Sequence, residues 1–388
     1  MTCRVENTQS ESAVELIAER GLEGLSDALS LLINEAMRLE RDRHLRAAPY
    51  ERSSDRQGYA NGYKAKTLRS RMGELDLAVP QVREGGFYPQ ALEKGLRSER
   101  ALKLALAEMY VTGVSTRKVA RITQQLCGFD VSSTEVSRCA ALLDEELDAW
   151  RNRDLGQYPF VVLDARYEKM RHGGAVVDCA VLVAMGISPD GKRDIIGVSV
   201  ALSEAEVHWR DFLSSLTVRG LHGVKLFVSD SHAGLKAARA AVFPSVPWQR
   251  CQFHLQQNAQ AYVPRKALRR QVAADIRAVF DAPDESEAKR LIERFTDAYQ
   301  KTAPKLAEWA QTALPQGLAV LTLPVYQRKR LRTSNAVEIV NKEIKRRTRV
   351  ATLFPNEASC LRLVTAVTME IAQDWQTGKR YLQMEDDD

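Results

Sequence analysis

Two aspartates stand directly after short apolar runs that predict buried β-strands. Asp164 follows Val161–Leu163, and Asp230 follows Phe227–Ser229. A carboxylate at the carboxyl end of a strand lies at the rim of the sheet, where a crevice opens, although aspartate also commonly caps the turn after a strand. If the two strands are neighbours, the two carboxylates repel each other and require a cation. Mg²⁺ is the expected ion, because it prefers oxygen ligands and is used with phosphates.

A third carboxylate that would complete this site lies on a predicted amphipathic helix, Asn335–Lys345, which follows capping residues at Thr333–Asn335. At about 100° per residue, Glu338 projects from the polar side of this helix, whereas Glu343 falls within the apolar arc. The wheel therefore favours Glu338 as the third ligand, with a solvated ion-pair face as the alternative. The apolar arc consists of Ala336, Val337, Ile339, Val340 and Ile344. The residues beside Glu338 on the polar side are Asn341, Lys342 and Lys345.

Positive charge is concentrated in two islands. The chain of 388 residues carries a formal net charge of +6. Residues 41–71 contain nine Lys/Arg and three Asp/Glu, a net of +6, and residues 328–349 contain nine Lys/Arg and two Glu, a net of +7. Because the islands together carry +13, the rest of the chain carries −7. This distribution indicates a polyanionic partner at specific surfaces, although such clusters also occur on proteins that bind nothing.

The elements that must position the aspartates are predicted within residues 151–263. Apolar runs indicate three strands, of which the last two are joined by a hairpin turn at Ser188–Lys192. The predicted elements are strands at Phe160–Leu163, Ala175–Ile187 and Ile195–Leu202, a helix at Glu204–Leu216, a strand at Lys225–Ser229, a helix at Leu235–Val242 and a strand at Pro247–Arg250. This order is typical of an α/β fold with a ribonuclease-H-like core.

Two further segments complete this core. Residues 264–325 have apolar residues at helical spacing, with no strand-like run before Leu318–Leu323, and predict an all-helical insertion ahead of Glu338. Residues 326–380 return to the core with the helix of Glu338 and a second helix at Glu357–Trp375. Residues 381–388 predict a disordered acidic tail. In the insertion, Trp309 is expected to pack in the core, with stacking on a DNA base as the alternative.

The first 98 residues predict helices followed by a basic region. Residues 1–48 indicate two helices that break near Gly21 and Gly24. Residues 49–98 form a basic strand and loop region with one predicted strand, Leu75–Val79. From Tyr59 to Arg71 aromatic residues are interleaved with cations, which suits either a phosphate backbone with stacked bases or an ordinary basic loop. The residues expected to contact DNA here are Lys64, Lys66, Arg69 and Arg71.

Residues 99–150 predict a helix-turn-helix. One helix is capped at Ser115 and ends before Gly128, and the next is capped at Ser132–Thr134. Two helices joined by a short glycine-containing turn have the spacing of a DNA-binding helix-turn-helix, although many helical hairpins share it. The residues expected to contact DNA here are Ser115, Arg117, Lys118, Ser133, Thr134 and Arg138.

Composition excludes several classes of protein. Hydrophobic residues make up 45% of the chain and charged residues 27%, which is typical of a globular protein with a sizeable core. No run approaches the roughly 18 apolar residues of a membrane span, and Met1–Ser10 lacks the apolar centre of a signal peptide. The six cysteines form no CxxC pair, so we expect a reduced, cytoplasmic protein without a membrane partner.

A series of blocks along the chain matches a known family in residue type and in order. The blocks are Gly113–Val119, Asp164 in its strand, Asp230–Leu235, Gln249–His254, Arg332–Glu338, Asn341–Glu343 and Arg346–Val350. Together they resemble the Mutator-type transposases of bacterial insertion sequences, which are Asp-Asp-Glu transposases. The resemblance covers essentially the whole chain. It implies that Asp164, Asp230 and Glu338 form the catalytic, metal-binding triad.

The resemblance also implies the reaction and its partners. The expected reaction is cleavage and strand transfer of DNA with two Mg²⁺ ions, for which Mn²⁺ can substitute. The expected partners are the terminal inverted repeats, the target DNA and a second copy of the chain on DNA, in the bacterial cytoplasm. Residues expected to support the triad are Cys251, His254, His232 and Asn341. Further expected DNA contacts are Arg332, Lys342, Lys345, Arg346, Arg347 and Arg349.

Three positions depart from the family's usual residues. The second threonine of a Thr-Thr-Asn motif is replaced by Ser334, and Ile339-Val340 stands where the family usually has Arg-Leu. Gln257 stands where an arginine is common. None belongs to the triad, so the two missing arginines bear on phosphate contacts and not on the chemistry. The Cys251-x-x-His254 pair does not by itself predict structural zinc, which needs four ligands, because no second pair lies at a finger-like spacing.

Two alternatives from other functional classes share these features. A catalytically inactive DNA-binding regulator would have the same basic islands and helix-turn-helix. A ribonuclease-H-like structure-specific nuclease could use the same three carboxylates, although the helical insertion ahead of Glu338 argues against it.

Overall fold

The computed structural model describes residues 9–48, 51–52, 54–83, 86–92, 94–95, 97–349 and 353–385. The chain divides into two compact units, residues 1–143 and residues 144–388. Residues 386–388 of the predicted acidic tail lie outside the described residues, whereas Leu382 is buried in a core of the carboxyl-terminal unit, so the prediction of a disordered tail from residue 381 is wrong at its start. Helices and strands are mixed along the chain, which confirms the α/β class.

The amino-terminal unit opens with two helices and a β-hairpin. These elements are α1 (Gln9–Arg20), a 3₁₀ turn (Gly21–Gly24), α2 (Leu25–Leu45), β1 (Ala60–Ser70) and β2 (Gly73–Val82). The predicted break between the helices is confirmed, since Gly21 has φ +60°, a left-handed conformation that glycine adopts without steric cost. Met37 of α2 is buried together with Leu75, Leu77 and Val79 of β2, so one face of the helix covers the hairpin.

Strand β1 was not predicted. The stretch from Tyr59 to Arg71 was expected to be a basic loop or an extended phosphate-binding segment, and most of it pairs with β2 in antiparallel register, from Tyr63 opposite Pro80 to Ser70 opposite Gly73. Residues 60–65 are exposed on both faces of the hairpin. The apolar alternation that reveals a half-buried strand is therefore missing from this part of the sequence.

Three short helices complete the amino-terminal unit. They are α3 (Arg100–Val111), α4 (Thr116–Cys127) and α5 (Ser133–Ala140). The predicted caps are confirmed: the Ser115 hydroxyl accepts a hydrogen bond from the backbone N–H of Lys118, and Ser132 accepts one from Glu135. Gly128 ends α4 with φ +76°. The three helices pack around a small apolar core.

The carboxyl-terminal unit is built on a mixed sheet. Its elements up to the last strand are α6 (Asp144–Arg151), β3 (Phe160–His172), β4 (Ala175–Ile187), β5 (Arg193–Ala201), α7 (Glu206–Val218), β6 (Leu226–Ser229), α8 (Ala233–Val242) and β7 (Trp248–Arg250). Within the described residues the strand order is β5-β4-β3-β6-β7. Strands β3, β4 and β5 are antiparallel neighbours, and β6 and β7 add parallel to β3.

Period-two alternation gives this sheet two apolar faces. On one face Phe160 and Val162 pack with Val337 and Val340 in a large core. On the other face Val161 and Leu163 pack in a second core with side chains of α7 and α8. The sheet is therefore covered by helices on both sides, and β3 lies at its centre.

A helical layer interrupts the chain between β7 and the helix of Glu338. It contains α9 (Gln252–Ala259), α10 (Arg269–Phe280), α11 (Glu285–Tyr299), α12 (Pro304–Ala313) and α13 (Val325–Leu331). Helices α9 to α12 enclose an apolar core of their own, in which Leu255 of α9 takes part, whereas Leu331 of α13 packs in the sheet core. Helical packing thus begins before the predicted boundary at residue 264. The strand-like run Leu318–Leu323 forms a 3₁₀ turn and its flanks.

Two helices return to the sheet after this layer. They are α14 (Asn335–Thr348), which carries Glu338, and α15 (Glu357–Thr377). Both contribute to the core on the Val162 face of the sheet. None of the helices in the described residues is both long enough and apolar enough to span a bilayer.

Candidate active site

Asp164 does not end its strand, contrary to the prediction. Strand β3 continues to His172, paired with β4 throughout. Its parallel pairing with β6, however, stops at Val162 opposite Val228. Continuing that register by two residues places Asp164 beside Asp230, just past the carboxyl end of β6. The crevice expected at strand ends therefore exists because β6 is short, while β3 runs on beyond it.

Asp230 begins the turn between β6 and α8. Its Oδ1 accepts a hydrogen bond of 3.1 Å from the backbone N–H of His232, so the carboxylate also caps the turn, as the simpler interpretation allowed. Ser229 before it is buried, and its hydroxyl accepts a hydrogen bond of 2.9 Å from Trp248 Nε1. These bonds leave Asp230 partly exposed at the sheet rim on a backbone fixed from both sides.

Polar contacts fasten α14 to β3 beside Asp164. Asn341 Nδ2 donates to Asp164 Oδ2 at 2.7 Å, and Arg166 Nη1 donates to the carbonyl oxygen of Asn341 at 2.7 Å. Farther along, the Thr348 hydroxyl donates to Glu168 Oε1 at 2.9 Å. Asp164, Arg166 and Glu168 alternate along β3, so all three lie on the sheet face that α14 covers. The structure thus brings Asn341 to the predicted site, and Arg166 and Glu168 are supporting residues that the sequence did not reveal.

Cys251 ties the end of the sheet to the segment before α14. Its backbone N–H donates to the carbonyl oxygen of Ser229 at 2.7 Å, and its sulfur accepts a hydrogen bond of 3.4 Å from the backbone N–H of Ser334. Ser334 Oγ in turn lies 3.4 Å from Glu338 Oε1. The buried Cys251 therefore links the residue before Asp230 to the residue that contacts Glu338.

Cys251, His254 and Glu338 form a compact cluster, with one ligand atom from each within 4.8 Å of the others. The hydrogen bond with Cys251 raises the pKa of His254 to about 9, and the negative charges of Glu338 and Asp230 also raise it. Burial acts against this rise. Although burial raises the pKa of the Cys251 thiol, hydrogen bonds from His254 and Ser334 outweigh it and lower this pKa. Cys251 and His254 therefore favour each other's charged form, beside the carboxylate of Glu338.

The surroundings of Asp164 disfavour its negative charge. Burial and then repulsion from Asp230 raise the pKa of Asp164 to about 7, while hydrogen bonds from the Ala165 backbone and Asn341 and the charge of His254 act against the rise. A divalent cation between Asp164 and Asp230 would relieve this repulsion. With Glu338, the residues offer hard carboxylate oxygens, which fit Mg²⁺. Cys251 and His254 offer softer ligands. Glu338 belongs both to their cluster and to the set of three carboxylates.

Glu204 is a further carboxylate near Asp230 that the sequence did not reveal. It lies in the loop between β5 and α7 with 12% of its side chain exposed, and its Oε2 is 3.6 Å from His232 Nδ1. Burial raises the pKa of Glu204, and the charge of Asp230 raises it further. His232, which was expected to support the triad, therefore lies beside Glu204. Glu204 was assigned to the start of a predicted helix, where a glutamate is common, so the sequence gave no reason to single it out.

The second basic island divides into free and paired cations. Lys342, Lys345 and Arg349 are exposed, and no ion pair is formed by them among the described residues. Arg346 is exposed but pairs with Glu343, and Arg332 pairs with Asp281 at 2.7 Å.

Arg347 lies apart from this surface. Its side chain is only 8% exposed and bonds Glu343 and Glu370, so it ties α14 to α15. The expectation that Arg347 contacts DNA is therefore wrong. Glu343 was predicted to lie in the apolar arc, but its side chain is 29% exposed and pairs with Arg346 and Arg347. Hydrogen bonds from these two arginines lower the pKa of Glu343 to about 2.

Ile339 was also misplaced by the helical wheel. It was assigned to the buried arc of α14, and it is 57% exposed, whereas Val337, Val340 and Ile344 are fully buried. Trp309 is partly buried against the core of the helical layer and stacks on Tyr262 with ring centroids 5.7 Å apart. Trp309 is thus a packing residue, as expected.

The predicted DNA contacts of the amino-terminal unit also divide into two groups. Lys64, Arg117, Lys118 and Arg138 are exposed. Lys66 donates to the Tyr88 hydroxyl at 3.2 Å. The paired arginines are Arg69, with Glu74 and Glu135, and Arg71, with Glu99. Ser115 caps α4, and Ser133 and Thr134 are exposed in the first turn of α5.

The raised pKa of Asp164 predicts a pH-dependent effect of Asp164→Asn in metal-free buffer. The folded-state pKa of about 7 lies above the ordinary value of 3.8, so ionisation of the parental side chain costs stability as the pH rises from about 4 to 7 and above. The amide cannot ionise. We expect Asp164→Asn to raise the free energy of unfolding by more than about 1.4 kcal/mol at pH 8 and by less at pH 5, measured by urea denaturation.

Asp178→Asn is the matched control, because Asp178 lies on the neighbouring strand with 61% of its side chain exposed. We expect this variant to change stability by no more than about 0.5 kcal/mol at either pH. An equal effect of Asp164→Asn at pH 5 and pH 8 would contradict the assignment of a charge held at a cost.

Comparisons with known proteins show the family of the chain. Residues 1–378 match the family model described as "Transposase, Mutator family". The chain is 56% identical to the transposase for insertion sequence element IS406 of Burkholderia multivorans, over 98% of this chain and 99% of that protein. It is 41% identical to the transposase for ISRM5 of Rhizobium meliloti, over 99% and 96% of the two chains. It is 36% identical to the transposase for IS256 in transposon Tn4001 of Staphylococcus aureus, over 91% and 92%. The chain belongs to the Mutator family of insertion-sequence transposases.

Proposed function

We propose that this transposase cleaves and joins DNA through a metal-binding triad of Asp164, Asp230 and Glu338. The observation that carries the proposal is the hydrogen bond of 2.7 Å from Asn341 to Asp164, because it fastens the helix of Glu338 against the strand of the first aspartate. The end of β6 then brings in Asp230. This arrangement supports a site at the sheet edge to which Asp164, Asp230 and Glu338 contribute from three distant parts of the sequence.

The strand order supports a ribonuclease-H-like core for this site. An antiparallel β3-β4-β5 meander is followed by two parallel strands, and the first aspartate lies on the central strand. The helical layer between β7 and α14 then corresponds to an insertion ahead of the third carboxylate. We propose this fold on topology and family membership together.

The residues of the site divide the work. Asp164, Asp230 and Glu338 would hold two Mg²⁺ ions, Asn341 and Arg166 fasten α14 to β3 beside Asp164, and Cys251 with Ser334 orients Glu338. When bound, the ions activate a water or a 3′-hydroxyl and stabilise the leaving oxygen. The carboxylates therefore act as ligands and not as proton-transfer groups. His254 lies close to Asp230 and Glu338 and reduces their repulsion before the ions arrive.

Removing any carboxylate should abolish cutting and leave DNA binding intact. We expect Asp164→Ala, Asp230→Ala and Glu338→Ala each to slow cleavage of end-containing DNA at least a thousandfold, which is about 4 kcal/mol in the activation barrier. Gel-shift affinity should stay within about threefold of the parental value, because phosphate contacts dominate affinity. Omission of Mg²⁺ should stop the parental reaction.

The controls separate this site from its neighbours and from other functions. Glu343→Ala breaks the ion pairs with Arg346 and Arg347, so it should lower stability before it lowers activity. Normal cutting by any one triad variant would remove that residue from the site. A parental protein that binds ends but never cuts would be a DNA-binding regulator, and one that cuts without joining strands would be a nuclease.

We propose that Lys342 and Lys345 hold the DNA backbone across this site. Both lie about one or two turns beyond Glu338 on α14 and have no acidic partner among the described residues. Phosphate contacts carry little sequence information. The double variant Lys342→Gln/Lys345→Gln should therefore weaken cleavage of every DNA end similarly and reduce the salt slope of binding by about two.

Lys289→Gln is a control for loss of one positive charge, because Lys289 on α11 pairs with Glu285 on the exposed surface. It should leave the salt slope unchanged. Parental cutting rates of the double variant at low and moderate salt alike would show that Lys342 and Lys345 only neutralise a solvated face.

We propose that the amino-terminal unit recognises the terminal inverted repeats, with α5 entering a groove of DNA as the second helix of a helix-turn-helix. The exposed Arg138 and Thr134 on α5 and Arg117 and Lys118 on α4 support this role. Two such ends held together require two copies of the chain, so we also propose a homodimer on DNA.

A fragment of residues 1–143 should retard inverted-repeat DNA in gels, more weakly as salt rises. The fragment must include α2, because Met37 of that helix is buried against β2, and a fragment starting at residue 41 would lose this core. Arg138→Gln should reduce the preference for repeat DNA over unrelated DNA. Equal binding of the fragment to both DNAs at physiological salt would place specificity elsewhere.

A further inference from the structure

A small cavity lies between the helical layer and the start of α14. Its volume is about 180 Å³, well below the roughly 300–1,000 Å³ of pockets for drug-sized ligands. Residues that line it and matter here are Phe253, Phe280, Arg277, Arg332, Thr333 and Asn335. The volume and the open side suit one planar ring system that enters from solvent.

The lining has the chemistry that recognises a nucleobase. Phe280 is buried at one wall, whereas Phe253 is 49% exposed at another. Asn335 and Thr333 add groups that form hydrogen bonds with base edges, and Arg277 and Arg332 add cations for a phosphate. Arg332 is partly neutralised by its ion pair with Asp281, while the exposed Arg277 donates only through Nε, to the carbonyl oxygen of Ala273.

The cavity adjoins the proposed catalytic carboxylates. Phe253 contacts the His254 ring edge to face, with centroids 5.5 Å apart, and His254 belongs to the cluster with Glu338. On the other side, Thr333 and Asn335 flank Ser334, whose hydroxyl lies 3.4 Å from Glu338 Oε1. A strand bound at the carboxylates would therefore pass the mouth of the cavity within a nucleotide or two.

Exposed apolar surface continues from the cavity along α14. Ile339 is 57% exposed, although the helix buries its other apolar residues. It lies one turn after Asn335 on the same helical face. Phe253 and Ile339 thus leave two large apolar side chains in solvent beside a polar, charged site, and neither contributes to the cores of this unit.

We propose that this cavity receives one unstacked base from the DNA end that the carboxylates hold, with Phe253 stacking on it. The inference rests on the proposed function. Enzymes that must reach atoms inside a duplex take a nucleotide out of the stack, and aromatic side chains replace the lost stacking. Ile339 either fills the gap that the base leaves in the DNA stack or covers the outer face of the unstacked base. The held base would fix the register of the scissile phosphate against Asp164, Asp230 and Glu338.

The test combines Phe253→Ala with DNA that lacks a base. An abasic site is placed in turn at each of the five or so nucleotides around the scissile phosphate. On intact ends Phe253→Ala should slow cleavage about tenfold to a hundredfold, the usual effect of losing one aromatic stack. When the abasic site replaces the base that the cavity receives, Phe253→Ala and the parent should cleave that DNA at nearly the same rate. Phe253→Trp keeps a ring and should behave as the parent does.

A second readout does not depend on catalysis. With 2-aminopurine at the same position and no Mg²⁺ present, the parental complex should change the fluorescence of the base relative to free duplex, and Phe253→Ala should lose most of this change. Val218→Ala is the control for truncation of an exposed apolar residue, since Val218 is 87% exposed at the end of α7. It should match the parent in both assays.

Each remaining outcome overturns the inference. Parental fluorescence and rates for Phe253→Ala would show that no base stacks there. A defect of equal size on intact and abasic ends at every position would show that Phe253 serves only the fold. A parental protein that fails to cut in the same assays would defeat the proposed function itself, and a cutting parent with no effect of Phe253→Ala would defeat this inference alone.

Discussion

The site depends on the fit of α14 against the central strand β3. Val337, Val340 and Ile344 bury one side of the helix in the sheet core, which fixes its height and rotation. The bond from Asn341 to Asp164 then fixes the polar side. Because helix and strand are locked by both apolar and polar contacts, Glu338 has little freedom to turn away from the aspartates. Burial supplies the stability of this arrangement, and the hydrogen bonds supply its direction.

Asp164 keeps its place in this fit at an electrostatic cost. The pKa of Asp164 rises to about 7 because burial and Asp230 both oppose its charge. Burial in the core of a sheet that packs on both faces gives the fold the stability to tolerate such a site. The positive charge of His254 close by limits the repulsion. A divalent cation bound beside Asp164 would remove this repulsion.

The sequence predicted the strands, most helices and the caps because those follow local rules. Apolar runs placed β3 to β5, and single side chains capped α4 and α5 at Ser115 and Ser132. Strand β1 escaped because its exposed half has no apolar alternation to detect. The carboxylates that meet at the site were predicted from strand ends, yet Asp164 lies within a longer strand, and only the early end of β6 creates the crevice.

What the sequence could not predict depends on partners far along the chain. Arg347 belongs to a basic run, but Glu370 on α15 removes it from the surface. Glu204 has no local signal and becomes notable only through its distance to His232. Ile339 satisfies the helical wheel for burial, but nothing covers that edge of α14 among the described residues. The charge of a segment and the spacing of its apolar residues predict what kind of surface it forms. Contacts with distant residues decide which of its side chains stay exposed on that surface.

The helical layer shows how a long insertion can leave the site undisturbed. The backbone N–H of Gln252, where the layer begins, donates to the carbonyl oxygen of Arg332, where it ends, at 3.0 Å. The neighbouring residues are also bonded, since the backbone N–H of Ser334 donates to the sulfur of Cys251 at 3.4 Å. The chain therefore leaves and re-enters the sheet at one point, and the layer keeps its own core. Changes in its far helices would not move Glu338, whereas its near surface, at Phe253 and Arg277, stays beside the carboxylates. An insertion closed in this way can change its contacts with DNA while the geometry of the carboxylates stays constant.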